Sequence, residues 1–235
     1  MNSPLEPTVL LHLGPVPITS AVVITWVIVV VLALGSFLFT RRLELVPGKR
    51  QAALELLVST LDEQIRDTTG AEPAPYRGFI GTLFLFILIA NWTSLVPGID
   101  PPTAQLETDA ALAALVFLSV IWFGVRDSGL KGYLKSFATP NPVMIPLNIM
   151  QNVTRVFSMF VRLFGNVMSG VFVVAIVASL AGLFVPIPLM ALDLLIGLVQ
   201  AYIFAVLATV FIAAAVEGGA SPTANPERPP TTEDS

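Results

Sequence analysis

No cysteine occurs in this chain, and histidine occurs once, as His12, ahead of the first apolar run. Without thiols there is no disulfide framework and no thiolate metal site. With a single imidazole a multi-histidine metal centre is excluded. A Ser–His dyad at membrane depth would require His12 to leave its polar N-terminal surroundings. Charge is scarce too: charged residues make up 12% of the 235 residues, against about 25% in a soluble domain. No basic block of the kind that binds nucleic acid is present, so nucleic acid is not an expected partner. A basic region ahead of the first apolar run is also missing. That run ends in Arg41-Arg42 rather than a small-residue cleavage site, so the N-terminus does not read as a cleaved signal peptide. No internal repeat is evident, which weighs against an inverted-repeat transporter.

What is present is apolar sequence. Hydrophobic residues make up 55% of the chain and mean hydropathy is +0.83. Ala21 to Phe39, Gly78 to Leu95, Ala110 to Val125, Pro146 to Gly182 and Pro188 to Val216 are runs of membrane-spanning character, the third short enough to extend into its flanks. The expected fold is an all-α polytopic membrane protein with about five membrane-embedded helices, the last two long and steeply tilted. Pro146 to Gly182 is 37 residues; as one helix it measures about 55 Å, against a hydrocarbon core of about 30 Å. Residues 50–66 mix apolar positions (Ala52, Leu54, Leu56, Leu57, Leu61, Ile65) with charge, as a cytoplasmic interfacial amphipathic helix does. Lys131 to Phe137 reads as a second one.

Lysine and arginine placement sets orientation. Arg41, Arg42, Lys49, Arg50, Arg66 and Arg77 fall between the first two spans, and Arg126, Lys131 and Lys135 follow the third. Segments 1–20, 96–109 and 181–190 hold none. The expectation is an outside N-terminal segment over 1–20, one integral-membrane domain over 21–217, and a disordered cytoplasmic tail over 218–235, rich in proline, threonine and acid.

Polar residues inside the fourth run are ordered. Gln151, Arg155, Ser158, Arg162, Asn166 and Ser169 are separated by 4, 3, 4, 4 and 3 positions, the spacing of one helix face. Arg155 lies shallow enough to snorkel; Arg162 lies near the middle. A guanidinium does not shed its proton in a protein, and burying one at bilayer depth costs roughly 3 to 17 kcal/mol, so such a residue is a functional candidate by default. Gly165, Ser169 and Gly170 are small and let another helix approach. In the last run Asp193 and Gln200 are seven apart and share a face, and Asp193 is the only acid within the last two runs. Asp100, Glu107 and Asp109 stand where the third run begins. A structural Arg162–Asp193 pair is the plainest alternative to function, but the two should be separated by about 10 Å along the membrane normal.

These residues form a recognisable series. Val161-Arg162-Leu163-Phe164-Gly165-Asn166-Val167-Met168-Ser169-Gly170 resembles the signature of subunit a of F-type ATP synthases, the ATPase a chain family. Leu192-Asp193 followed by Val199-Gln200-Ala201-Tyr202-Ile203-Phe204 resembles that family's second signature. Asn91 to Gly98 and Pro101-Pro102-Thr103-Ala104 resemble its second-span exit and outer loop. The landmarks agree in order from about residue 21 to 217.

The resemblance implies a non-catalytic stator, with no cofactor, beside a rotating ring of c subunits, joined to b-type peripheral stalk subunits and through them to the F1 catalytic sector. Two half-channels would meet the ring at different places. Arg162 would map onto the family's essential arginine, drawing out an ionised ring carboxylate and blocking leakage between half-channels. Asn166, Ser169, Gln200 and Asp193 would serve the outer path, with Glu107 and Asp109 at its mouth. Gln151, Arg155 and Ser158 would line the inner path. Two departures bear on this. Val171 stands where many members carry glutamate after the small pair, so the outer relay leans on Asp193. Gln151, Asn152 and Val156 stand where the inner half often carries glutamates and a proline. Members serve rings that carry protons and rings that carry sodium; family frequency favours protons. The implied location is the bacterial plasma (inner) membrane.

Overall fold

The computed structural model describes residues 9–13, 16–41, 48–96, 101–137, 145–181 and 185–219. Asp100 and the tail from 220 onward lie outside the described residues. Among those described, five helices are long and apolar enough to cross a membrane. The chain is an all-α polytopic membrane protein. In a hydrocarbon environment the backbone must satisfy its own hydrogen bonds, which a helix does within one segment.

One feature lies outside that pattern. Val9–Leu13 (β1) and Val16–Thr19 (β2) pair antiparallel as a short hairpin, Leu13 opposite Val16 and Val9 opposite Thr19. Strands of five and four residues are too short for alternation to be readable. The hairpin leads into α1 (Ser20–Thr40), which has only 6% of its apolar window buried.

The amphipathic segment forms α2 (Lys49–Thr69), ended by Gly70 in the left-handed conformation, whose N–H donates to Arg66 O. Its Leu57, Leu61 and Ile65 pack into the bundle, while Leu54 and Leu56 face outward. Arg77 at the start of α3 pairs with Asp62, and Tyr202 Oη donates to Gln64 Oε1 at 2.6 Å. So α2 is fastened to both α3 and α6.

Helix α3 (Ala74–Trp92) runs into a 3-10 turn at Thr93–Leu95, and a second 3-10 turn at Pro102–Ala104 precedes α4 (Leu106–Phe137). The third span thus starts before Ala110. Residues 131–137 are helical, set off by Gly129 at φ 69°, ψ 159°, a region that glycine enters freely. Beyond that break the Tyr133 ring packs on Gly124. The last two helices are α5 (Ile145–Ala181) and α6 (Pro186–Gly219).

The core is built around α3 and α6. Ile80, Leu83, Ile87 and Ala90 of α3 meet Ala201, Phe204, Ala205, Ala208 and Ile212 of α6, with Val116 and Phe123 of α4 and Met159, Leu163 and Val167 of α5 in the same cluster. Alanines at 201, 205 and 208 form a small-residue ridge, and close packing there replaces the hydrophobic drive that lipid does not supply. The Tyr76 ring meets Phe123 edge-on at 5.1 Å and its hydroxyl donates to Asp127 Oδ2 at 2.8 Å. Helix α5 is engaged on one side only, and far less of it is buried than of α6.

Candidate functional site

Helix periodicity explains what α5 offers. Met159, Leu163 and Val167 recur every four residues and turn into the core. Ser158, Arg162 and Asn166 each precede one of them, and therefore stand about 100° round the helix. Along that second face Gln151, Arg155, Ser158, Arg162 and Ser169 are exposed and Asn166 is half-buried. Among the described residues the polar stripe is continuous and mostly uncovered.

The two arginines on it are held differently. The Arg155 guanidinium lies over the Phe211 ring of α6, 5.6 Å from its centroid, a cation–π contact. Arg162 has no such contact, and among the described residues no carboxylate lies within 4.0 Å of it. The ion pair formed among those residues joins Arg77 of α3 to Asp62 of α2.

Asp193 is placed by three helices. It enters α5 at Gly170: a Cβ there would collide with Asp193 Oδ1 and come within 3.0 Å of its Cγ. From the 3-10 turn that follows α3, the Ser94 hydroxyl stands 3.3 Å from Asp193 Oδ2 while also donating to Asn91 O at 2.8 Å. Gly170 lies eight residues beyond Arg162, about 12 Å along the helix. Asp193 is thus seated about two turns of α5 away from Arg162, and no direct Arg162–Asp193 pair forms among the described residues. Val171, next to that seat, packs against the core. The carboxylate at this level of α5 therefore comes from α6.

Sequence reasoning passed over the polar clamp beneath it. Asn91 is buried, donates from Nδ2 to Gly197 O at 3.1 Å, and accepts from Thr103 Oγ1 at 2.8 Å. Gly197 permits this because a Cβ there would stand 2.9 Å from the Asn91 Cβ. An asparagine inside an apolar run was the available signal, since such a group must find partners. Gln200, one turn further along α6, is 5% exposed and its Nε2 has no partner among the described residues. Glu107 is exposed, whereas Asp109 is fully buried, with both carboxylate oxygens unpartnered among the described residues. Among the described residues no cluster of three His, Asp or Glu side chains could hold a metal ion.

Comparison with known proteins points to one family. The family model described as ATP synthase A chain matches residues 22–213. The chain is similar to ATP synthase subunit a 2 of a Bradyrhizobium species, 56% identical over 215 residues, spanning 92% of this chain and 96% of the relative. It is also similar to ATP synthase subunit a of Albidiferax ferrireducens, 44% identical over 207 residues (87% and 90%), and to ATP synthase subunit a 2 of Pelobacter propionicus, 46% identical over 208 residues (88% and 91%). The chain belongs to the ATP synthase A chain family, the non-catalytic membrane subunit a of ATP synthase.

Proposed function

We propose that this chain is the ion-translocating stator of an F-type ATP synthase, forming two half-channels against a rotating c-ring. The observation that carries the proposal is the guanidinium of Arg162, exposed midway along the polar stripe of α5 and unpaired among the described residues. A permanent cation in a low-dielectric setting attracts an ionised carboxylate strongly and a neutralised one weakly. Each ring carboxylate must release its ion before it passes Arg162, so ion flow is tied to rotation and cannot leak straight across.

In this reading the end of the bundle carrying Asn91, Thr103 and Asp193 faces outward, the N-terminus is outside, and α2 lies at the cytoplasmic interface. Ions enter past Glu107 and reach the ring through Asp193, Gln200, Asn166 and Ser169. They leave on the other side past Gln151, Ser158 and Arg155. Asp193 suits a relay because Ser94 can serve both of its states. The ionised acid accepts from the Ser94 hydroxyl. The protonated acid donates to Ser94 Oγ, whose own proton then rests on Asn91 O. The expected partners are the c-ring, b-type stalk subunits, the F1 sector through that stalk, and the lipid of a bacterial plasma membrane. Arg162 senses only whether the ring site is charged, so the ion is chosen by the ring; protons are the reading carried from family frequency.

The test is reconstitution of purified chain in liposomes, alone and within the whole ATP synthase, under imposed proton and sodium gradients. Transport is expected only with the ring present, and without a sodium requirement. Flux through the chain alone contradicts the stator reading and favours a self-sufficient channel.

A further inference from the structure

Asp109 is the one fully buried carboxylate among the described residues, and neither of its oxygens has a hydrogen-bond partner. An unpaired buried ion costs several kcal/mol, and a polar group retained inside a membrane bundle at such cost marks an ion or proton path by default. A purely structural carboxylate would have a donor aimed at it.

Its position supplies a second observation. The other buried side-chain atom without a partner among the described residues is Gln200 Nε2, a donor where Asp109 offers acceptors. Helices α4 and α6 touch where a Cβ on Gly124 would lie 3.3 Å from the Ala215 Cβ, and Asn91 joins Thr103, just before α4, to Gly197 of α6, so the two helices run in the same direction. Asp109 precedes Gly124 by fifteen residues, and Gln200 precedes Ala215 by fifteen. Equal steps back along helices of the same direction put the two orphans at comparable levels of the bundle. Asn91 links this level to Asp193: its main-chain oxygen holds Ser94, which meets Asp193, and its side-chain oxygen holds Thr103, fully buried six residues before Asp109.

We propose that Asp109 is a second ion-holding carboxylate of the outer half-channel, working with Gln200 deeper than the exposed Glu107. The inference rests on the stator reading above. Its ligand is the monovalent cation that the ring carries. A proton would be held as the neutral carboxylic acid and a metal cation as a neutral ion pair; either removes the uncompensated charge. The Gln200 amide donates to the carboxylate once the ion has moved on.

Asp109→Asn in the intact ATP synthase tests this, because it keeps the shape and removes the exchangeable charge. Gradient-driven ATP synthesis in proteoliposomes is expected to fall about tenfold or more, as loss of a proton-transfer group does, with equal amounts of assembled complex. Rates within about twofold of the parent, a change too small for a lost transfer group, overturn the proposal. Asp193→Asn run in parallel separates the two levels. Slowing by Asp193→Asn without slowing by Asp109→Asn removes only Asp109 from the path; slowing by neither removes the path. If Asp109→Asn does not assemble, Asp109→Leu decides, because it is nearly isosteric and suits an apolar core. Assembled complex slowed about tenfold or more supports the proposal, and assembled complex at the parent's rate overturns it.

Discussion

The Asp193 carboxylate occupies the volume that a side chain at Gly170 would need. Two helices therefore share one acid: α6 supplies it and α5 makes room for it. Gly170→Ala should force one of them to move. Overpacking of this kind costs about 1–3 kcal/mol, and the displaced carboxylate loses its place at Ser94. ATP synthesis should fall by more than complex abundance does, as measured by proteoliposome synthesis normalised to assembled enzyme. Activity that falls only in step with abundance would reduce Gly170 to a packing residue.

Ser94 gives a milder test. Its hydroxyl is shared between Asn91 O and Asp193 Oδ2, so Ser94→Ala should cost one hydrogen bond, about 0.5–1.5 kcal/mol. The expected outcome is synthesis slowed about two- to tenfold at that cost, with Ser94→Thr close to the parent. Equal rates for the alanine and threonine variants at the parent's level would mean that Asp193 works without Ser94.

Asp193→Asn preserves shape and removes the charge. Ion flux should fall while ATP hydrolysis and pumping remain coupled, because Arg162 still bars the direct route. Gradient-driven flux and the ratio of ions pumped to ATP hydrolysed check both halves. Unchanged flux would take Asp193 out of the path.

Much of the fold was legible because membrane solvation acts locally. Each apolar run became a helix near its expected bounds, α1 at Ser20–Thr40 and α5 at Ile145–Ala181 among them. The polar stripe of α5 was legible for the same reason, since a 3.6-residue period depends on one segment alone. What stayed hidden was long-range. Gly170 as the seat of Asp193, Asn91 reaching Gly197 across 106 positions, and Tyr202 fastening α2 through Gln64 across 138 all depend on which helices become neighbours. Asp109 looked like a mouth residue beside Glu107, yet two positions along a helix turn a side chain by about 200°, from the surface into the core.

Arg162 is where the account stands or falls, and Arg162→Ala in the assembled ATP synthase is the direct measurement. With assembly intact, ATP-driven ion pumping should be abolished and passive leak through the membrane sector should rise, since both the attraction for ring carboxylates and the barrier between half-channels are lost. Pumping that persists at a substantial fraction of the parent rate in fully assembled complexes would contradict the account.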